Sequence, residues 1–311
     1  MLIKTKKMFR NQLYPLIIAL ILFSGCDNSE TQKENDNLHQ NKSETSQEKK
    51  HKNISDEKIP AIYFGVPSPM ETTIILKNSG AQFEESIMFP LENHQKELGQ
   101  SKTAIYLGIY STDLNYCILS SKKEETLEEL SAVINLAKEI HLGSVVNEST
   151  KDRIELNLNN KDSMQVIIAS TFWKMETVMK ENDRSNLSSL IVAGGWIEGL
   201  YLACELAKIN PDNSVIQQII ADQKYTISNL NELLKSYAFD AEINESIVVP
   251  LKYLEKIFDQ IKKEEYEETN SKNKEFSDDL IIGKYFKLKF TPEIISSIHN
   301  SIESIRNDLN N

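Results

Sequence analysis

Residues 187–207 read Leu-Ser-Ser-Leu-Ile-Val-Ala-Gly-Gly-Trp-Ile-Glu-Gly-Leu-Tyr-Leu-Ala-Cys-Glu-Leu-Ala, and this run limits the fold more tightly than any composition value. As a helix it has no polar face, so it must be enclosed by protein or by lipid. A membrane span is disfavoured because Glu198 would sit at mid-bilayer and Glu205 near one end. The segment is therefore read as a central buried helix with other helices around it. Gly195, Gly199 and Ala203 recur every four residues, and Ala104 and Gly108 make a comparable small patch on 102–120. Each glycine costs a helix about 1 kcal/mol relative to alanine, so close approach of another helix is the expected compensation.

The rest of the apolar patterning supplies those neighbours. Met164, Ile168, Thr171, Met175 and Val178 keep a 4,3 spacing, as do Ile216, Ile220, Gln223, Ile227, Leu230, Leu234 and Tyr237. Ile247, Leu251, Leu254, Phe258 and Ile261 form a third stripe, and Ile295, Ile298, Ile302, Ile305 and Leu309 a fourth. A repeat near 3.5 residues favours near-antiparallel helices. The short break at 240–244 makes 212–239 and 245–267 a helical hairpin, with Pro250 near the second helix's first turns. The expected fold is all-α: an irregular multi-helix bundle with coiled-coil-like helical hairpins, and no fixed-period repeat of the solenoid kind.

Local signals set helix ends. Ser68-Pro69-Met70-Glu71 and Thr291-Pro292-Glu293 each combine a capping residue with a first-turn proline, and Gly80 supplies a stop after the first of them. Leu127, Leu130, Ile134 and Ala137 share a face with Glu124, Glu125, Glu128 and Glu129 off it, and His141 and Gly143 close that helix, His141 being read as a cap and not a ligand. Asn182-Asp183-Arg184-Ser185-Asn186 is a turn and N-cap, too short for a calcium loop. Strand character is confined to 281–290, where Leu288 and Phe290 alternate with Lys287 and Lys289, at most a short extended connection after the polar loop 269–279.

Two aromatic-carboxylate stripes are the candidate site. Glu198, Tyr201 and Glu205 share one side of the apolar helix, beside Trp196, and Tyr106, Tyr110 and Asp113 share one side of 102–120. The set Glu198, Tyr201, Asp113, Tyr110 and Trp196 admits three readings. The carboxylates are satisfied acceptors that lock two helices, or they line a polar ligand pocket between 102–120 and 187–208, or they act as a general acid and base. The structural reading is the bland one and carries the most weight.

Other chemical signatures are missing from the sequence. His39, His51, His94, His141 and His299 are scattered with no His-Glu-x-x-His or Cys-x-x-Cys, so no metal and no cofactor is expected. Gly194-Gly195 lies inside a helix and does not follow a strand, so it is no dinucleotide or phosphate loop, and there is no Gly-x-Ser-x-Gly.

The N-terminus specifies an address. Lys4, Lys6, Lys7 and Arg10 precede an apolar run from Leu16 to Phe23, then Ser24, Gly25 and Cys26. This is the layout of a secretion signal. With a cysteine directly after the small residues, it resembles a bacterial lipoprotein signal. The resemblance implies cleavage before Cys26 and a lipid anchor on its sulfur. Residues 27–58 are almost devoid of apolar side chains and are expected to be a disordered tether spanning roughly 30 Å. The division is therefore 1–25 signal peptide, 26–58 lipidated Cys and tether, and 59–311 a single all-helical domain.

The chain has 35 basic and 46 acidic residues; without the signal's four basic ones the balance is near −15. That argues against nucleic acid and against an anionic lipid surface as partners. Cys117 and Cys204 fit free buried thiols inside apolar helices, though an oxidising compartment would permit pairing. The segments Ile105 and Gly108-Ile109-Tyr110-Ser111-Thr112-Asp113-Leu114, with Gly194-Gly195-Trp196-Ile197-Glu198-Gly199-Leu200-Tyr201, resemble a group of uncharacterised all-helical bacterial lipoproteins over most of 59–309. That resemblance implies no particular activity. The expectation is a non-enzymatic interaction or scaffold module of the cell envelope. The lipid on Cys26 would hold it to a bacterial membrane (the outer membrane or periplasmic face), and its partner would be an unidentified envelope protein. The alternative is a ligand-binding lipoprotein using the inter-helix pocket.

Overall fold

Two helices that bury nearly every side chain must lie at the middle of whatever surrounds them, and α1 (Gln100–Leu119) and α5 (Ser185–Ile209) do so. The computed structural model describes residues 73, 76–95, 98–266 and 285–310; the expectations for the signal, the tether and the Ser68-Pro69-Met70-Glu71 cap lie outside these. Among the described residues the architecture is helical apart from one short antiparallel pair of strands. After two 3-10 turns (Glu85–Ile87 and Leu91–Gln95) and α1 come α2 (Lys123–Glu139), α3 (Glu148–Leu156) and α4 (Lys161–Glu181). Past α5 follow α6 (Ser214–Asp222), α7 (Lys224–Lys235), α8 (Val249–Phe258), the pair β1 (Lys262–Tyr266) and β2 (Tyr285–Lys289), and α9 (Pro292–Asn310). The central pair is flanked by α2 and α4 on the α1 side and by α4, α6, α7 and α9 around α5. Among the described residues α5 alone is long and apolar enough to cross a membrane, and 89% of its apolar window is buried within the fold.

Small residues permit the central contact. A Cβ built on Gly108 would stand 2.0 Å from the Ile191 carbonyl oxygen and 2.7 Å from the Gly195 nitrogen. One built on Gly194 would stand 2.0 Å from the Ile105 carbonyl oxygen. The two backbones touch, and Thr112 Oγ1 adds a hydrogen bond to the Gly195 carbonyl at 3.2 Å. The apolar stripes on α4, α6–α7, α8 and α9 pack as their spacing indicates, with Met164, Ile220, Leu254 and Ile302 all buried.

Three helices stop in the same way. Ser121, His141 and Asp183 take left-handed φ of 60°, 58° and 56°. In each case that residue's own amide and the next one turn back on the last helical turn, as with Leu142 N to Ala137 O at 2.7 Å and Arg184 N to Met179 O at 2.8 Å. His141 is thus a cap, as its position indicates. The N-cap of α9 also follows the sequence, since Thr291 Oγ1 accepts from the Ile294 amide at 3.4 Å.

Three expectations need correction. On α2 Leu130, Ile134 and Ala137 of the expected stripe are buried, but Leu127 is 37% exposed and Glu129, expected off the face, is buried with Thr126, Ala132, Val133 and Leu136. The buried face is broader than the stripe and centred to one side of it, towards Glu129 and Val133, which leaves Leu127 at its edge. Second, the helix expected over 245–267 ends at Phe258, and Lys262–Tyr266 pairs antiparallel with Tyr285–Lys289. Lys262-Lys263-Glu264-Glu265 has nothing apolar to bury beyond Ile261, so a further helical turn gains no packing. The strand ladder satisfies that backbone instead, with Leu288 turned into the core. Third, the expected 212–239 helix is broken at Gln223 into α6 and α7. Ahead of Pro250 the chain passes through one π turn, Asn244–Val248, which lets a ring without an N–H enter α8.

Candidate functional site

The charged residue of α5 meets its partner on α9. Glu198 is wholly enclosed, and Arg306 is 6% exposed. Arg306 Nε donates to Glu198 Oε2 at 2.8 Å and one of its terminal nitrogens to Oε1 at 2.9 Å, a bidentate pairing. The same terminal nitrogen donates to the Ile87 carbonyl at 3.0 Å. The guanidinium lies 3.9 Å above the Tyr201 ring and 5.0 Å from the Phe89 ring. Burial pulls the arginine's pKa down, but the Glu198 charge and its hydrogen bonds more than offset that and leave it above the usual value. The arrangement clamps α5, α9 and the 87–89 segment together.

Asp113, on α1, is also fully buried, and its Oδ2 accepts from the Phe89 amide at 3.0 Å. Its pKa is driven well up by burial first, then by Glu198 and Glu129, against the pull of Arg306 and the Phe89 amide. Glu129 on α2 is 1% exposed, and neither carboxylate oxygen has a hydrogen-bond partner among the described residues. Burial, Glu198 and Glu128 raise its pKa. One guanidinium thus pairs with one of three enclosed acids, and burial shifts the other two towards their neutral forms.

A pH dependence follows. An acid whose pKa is higher in the fold than in the unfolded chain keeps its full contribution below the unfolded value, 4.5 for Glu129. That contribution is lost as pH rises from there toward the folded pKa, at up to about 1.4 kcal/mol per pH unit for one group. Urea unfolding of Glu129→Gln between pH 5 and 8 should therefore show a flatter pH profile than the parent, with the variant gaining relative stability as pH rises. Parallel profiles would show that Glu129 is ionised in the fold.

The other expected residues separate. Tyr110 donates its hydroxyl to the Pro90 carbonyl at 2.6 Å and packs edge-on to Phe89 and to Tyr106, which itself meets Phe89. Trp196 faces away from Glu198: its indole N–H donates to Thr226 Oγ1 at 2.8 Å and its ring meets Phe258. Tyr201 alone stays with Glu198, under Arg306. Cys117 and Cys204 are both free and buried, and burial raises both thiols. The space the ligand reading places between 102–120 and 187–208 is taken at this level by touching backbone and the enclosed carboxylates. An open groove of about 690 Å³ lies elsewhere, between α6 and β2, lined by Val215, Ile219, Leu288 and Phe290 among others.

Sequence reasoning missed Arg306, Phe89 and the burial of Glu129. A signal for Arg306 existed: His299, Glu303 and Arg306 repeat at four and three residues beside the stripe Ile298, Ile302, Ile305 and Leu309, so they border the buried face of α9. Two turns out from Glu198 on α5, Glu205 Oε1 lies 2.6 Å from His299 Nε2 and 3.5 Å from Lys208 Nζ. The seam between α5 and α9 is therefore polar along one side, closed at Glu198 and partly open at Glu205. Neither family models, nor curated proteins, nor solved structures yield a match to this chain, so its functional reading rests on these contacts.

Proposed function

We propose that the chain is a non-enzymatic interaction module of the bacterial envelope, held to a membrane by a lipid on Cys26 and presenting a helical face to an envelope protein. The observation that carries this reading is the contrast between inside and outside. The carboxylates with chemical potential are enclosed and committed to clamping helices, whereas Trp173 is 67% exposed and Val166, two turns earlier on α4, is 66% exposed. An exposed tryptophan beside an exposed aliphatic residue is the kind of anchor that protein interfaces use. The anchor reading is supported by the Ser24-Gly25-Cys26 sequence after an apolar run. The apolar α5, being committed to the core, is not free to supply a membrane span.

The test is photo-crosslinking in intact bacteria from a benzophenone amino acid at position 173, in the parent and in Cys26→Ser. A discrete adduct in the membrane fraction, lost in Cys26→Ser together with fatty-acid labelling, is the expected result. No adduct from position 173, with adducts from other faces, would discard α4 as the docking face. Unchanged labelling in Cys26→Ser would end the lipid-anchor reading.

A further inference from the structure

The outer end of the α5–α9 seam brings together three side chains that are far apart in sequence. Glu205 comes from α5, and His299 and Glu303, four residues apart, come from one face of α9. One donor atom from each lies within 4.8 Å of the others. We propose that Glu205, His299 and Glu303 form a binding site for one divalent transition-metal ion of the zinc class.

The donor set fits that chemistry. One imidazole and two carboxylates are common ligands of zinc at roughly 2.0–2.2 Å, leaving a fourth position for water. Tetrahedral ligands at such distances stand roughly 3.3 Å apart, so the 2.6 Å contact between His299 and Glu205 has to open by under 1 Å, and the donor atoms, now within 4.8 Å of one another, have to draw in to that spacing by side-chain rotation at Glu303. Glu205 is held in place, with its side chain only 11% exposed, while His299 and Glu303 border solvent and give an ion a way in. Lys208, the cation already near Glu205, has a side chain 62% exposed and can swing away.

Glu303 is the second, separate indication. It makes no hydrogen bond or ion pair among the described residues, yet its carboxylate is brought against that of Glu205 and the His299 ring. The His299–Glu205 contact by itself needs no third acid. Lys208 reaches Glu205 and not Glu303, so a metal ion between the three side chains would supply the positive charge that Glu303 otherwise lacks. A bound ion would bridge α9 to α5 two turns beyond the Glu198–Arg306 clamp, giving the C-terminal helix a second fastening that depends on metal supply.

The experiment uses the full chain in mild detergent, stripped with EDTA and titrated with Zn²⁺ by calorimetry and thermal melting. One ion per chain and a saturable rise in Tm are expected. His299→Gln keeps an N–H that donates to Glu205 but removes the metal ligand, and Glu303→Gln loses no partner. Both should melt like the parent without zinc and bind it at least about tenfold more weakly. Absence of saturable binding in the parent, or binding unchanged in both variants, would overturn the site. An equal rise with Mg²⁺ would overturn the zinc-class assignment, since Mg²⁺ demands six hard oxygen ligands.

Discussion

Glu198→Ala should destabilise the domain by about 3–5 kcal/mol, since it strands a buried guanidinium. Arg306 is 6% exposed, and without Glu198 its remaining acceptor is the Ile87 carbonyl. Asp113, whose pKa burial and the Glu198 charge raise, can offer partial relief by ionising more readily once Glu198 is gone. Glu198→Gln keeps an acceptor for the arginine and should fall between parent and alanine. The informative comparison is Glu198→Leu combined with Arg306→Met. Removing both charges together removes the desolvation cost as well, so the double variant should recover much of the loss. Urea unfolding of the four proteins measures this. If Glu198→Ala melts like the parent, the clamp is not what holds α9. If the double variant is as unstable as the single, the loss is one of packing and not of charge.

The same contacts explain what could be read from the chain in advance and what could not. Helix positions and the burial of α5 were legible because a run without a polar face has few places to go. The close approach of α1 and α5 was legible from Gly108 and from the small-residue stripe Gly195, Gly199 and Ala203, although on α5 it is Gly194, outside that stripe, whose position meets the Ile105 backbone. That Glu198 must be satisfied was also legible. Its partner was not, because Arg306 lies 108 residues away and nothing in either helix alone fixes which face meets which. Glu129 was misplaced for a related reason. Charge patterning put it on the outer face of α2, but the buried face is wide enough to take in Glu129 and leaves Leu127 at its edge. The β-hairpin was missed because its first strand is almost wholly charged; only pairing to Leu288 makes it a strand.

Gly194→Ala tests the central contact with a single added methyl group. Two effects compete. Alanine favours the helix over glycine by about 1 kcal/mol. Against that, the new Cβ would sit 2.0 Å from the Ile105 carbonyl oxygen and 2.9 Å from its carbon, both backbone atoms of a buried helix that cannot rotate out of the way. Relief requires α1 and α5 to move apart by more than 1 Å, and that displaces whatever else packs between them. The Thr112 hydrogen bond to Gly195 would lengthen from 3.2 Å, and α9, which is clamped to α5 through Arg306, would shift with it. Overpacking of this kind costs about 1–3 kcal/mol, and more where backbone is the obstacle, so the net effect is expected to be a loss of about 2–3 kcal/mol. Gly108→Ala should behave alike, since its Cβ meets the Ile191 oxygen at 2.0 Å. Gly143→Ala is the control: its Cβ would meet the Lys138 side chain at 3.3 Å, which can yield, so the change should stay within about 0.5 kcal/mol. The two clash sites face each other across one interface, so the double alanine variant should cost less than the sum of the singles, the helices having already separated. Strict additivity, or a Gly194→Ala protein as stable as the parent, would mean that α1 and α5 do not touch at Gly108 and Gly194.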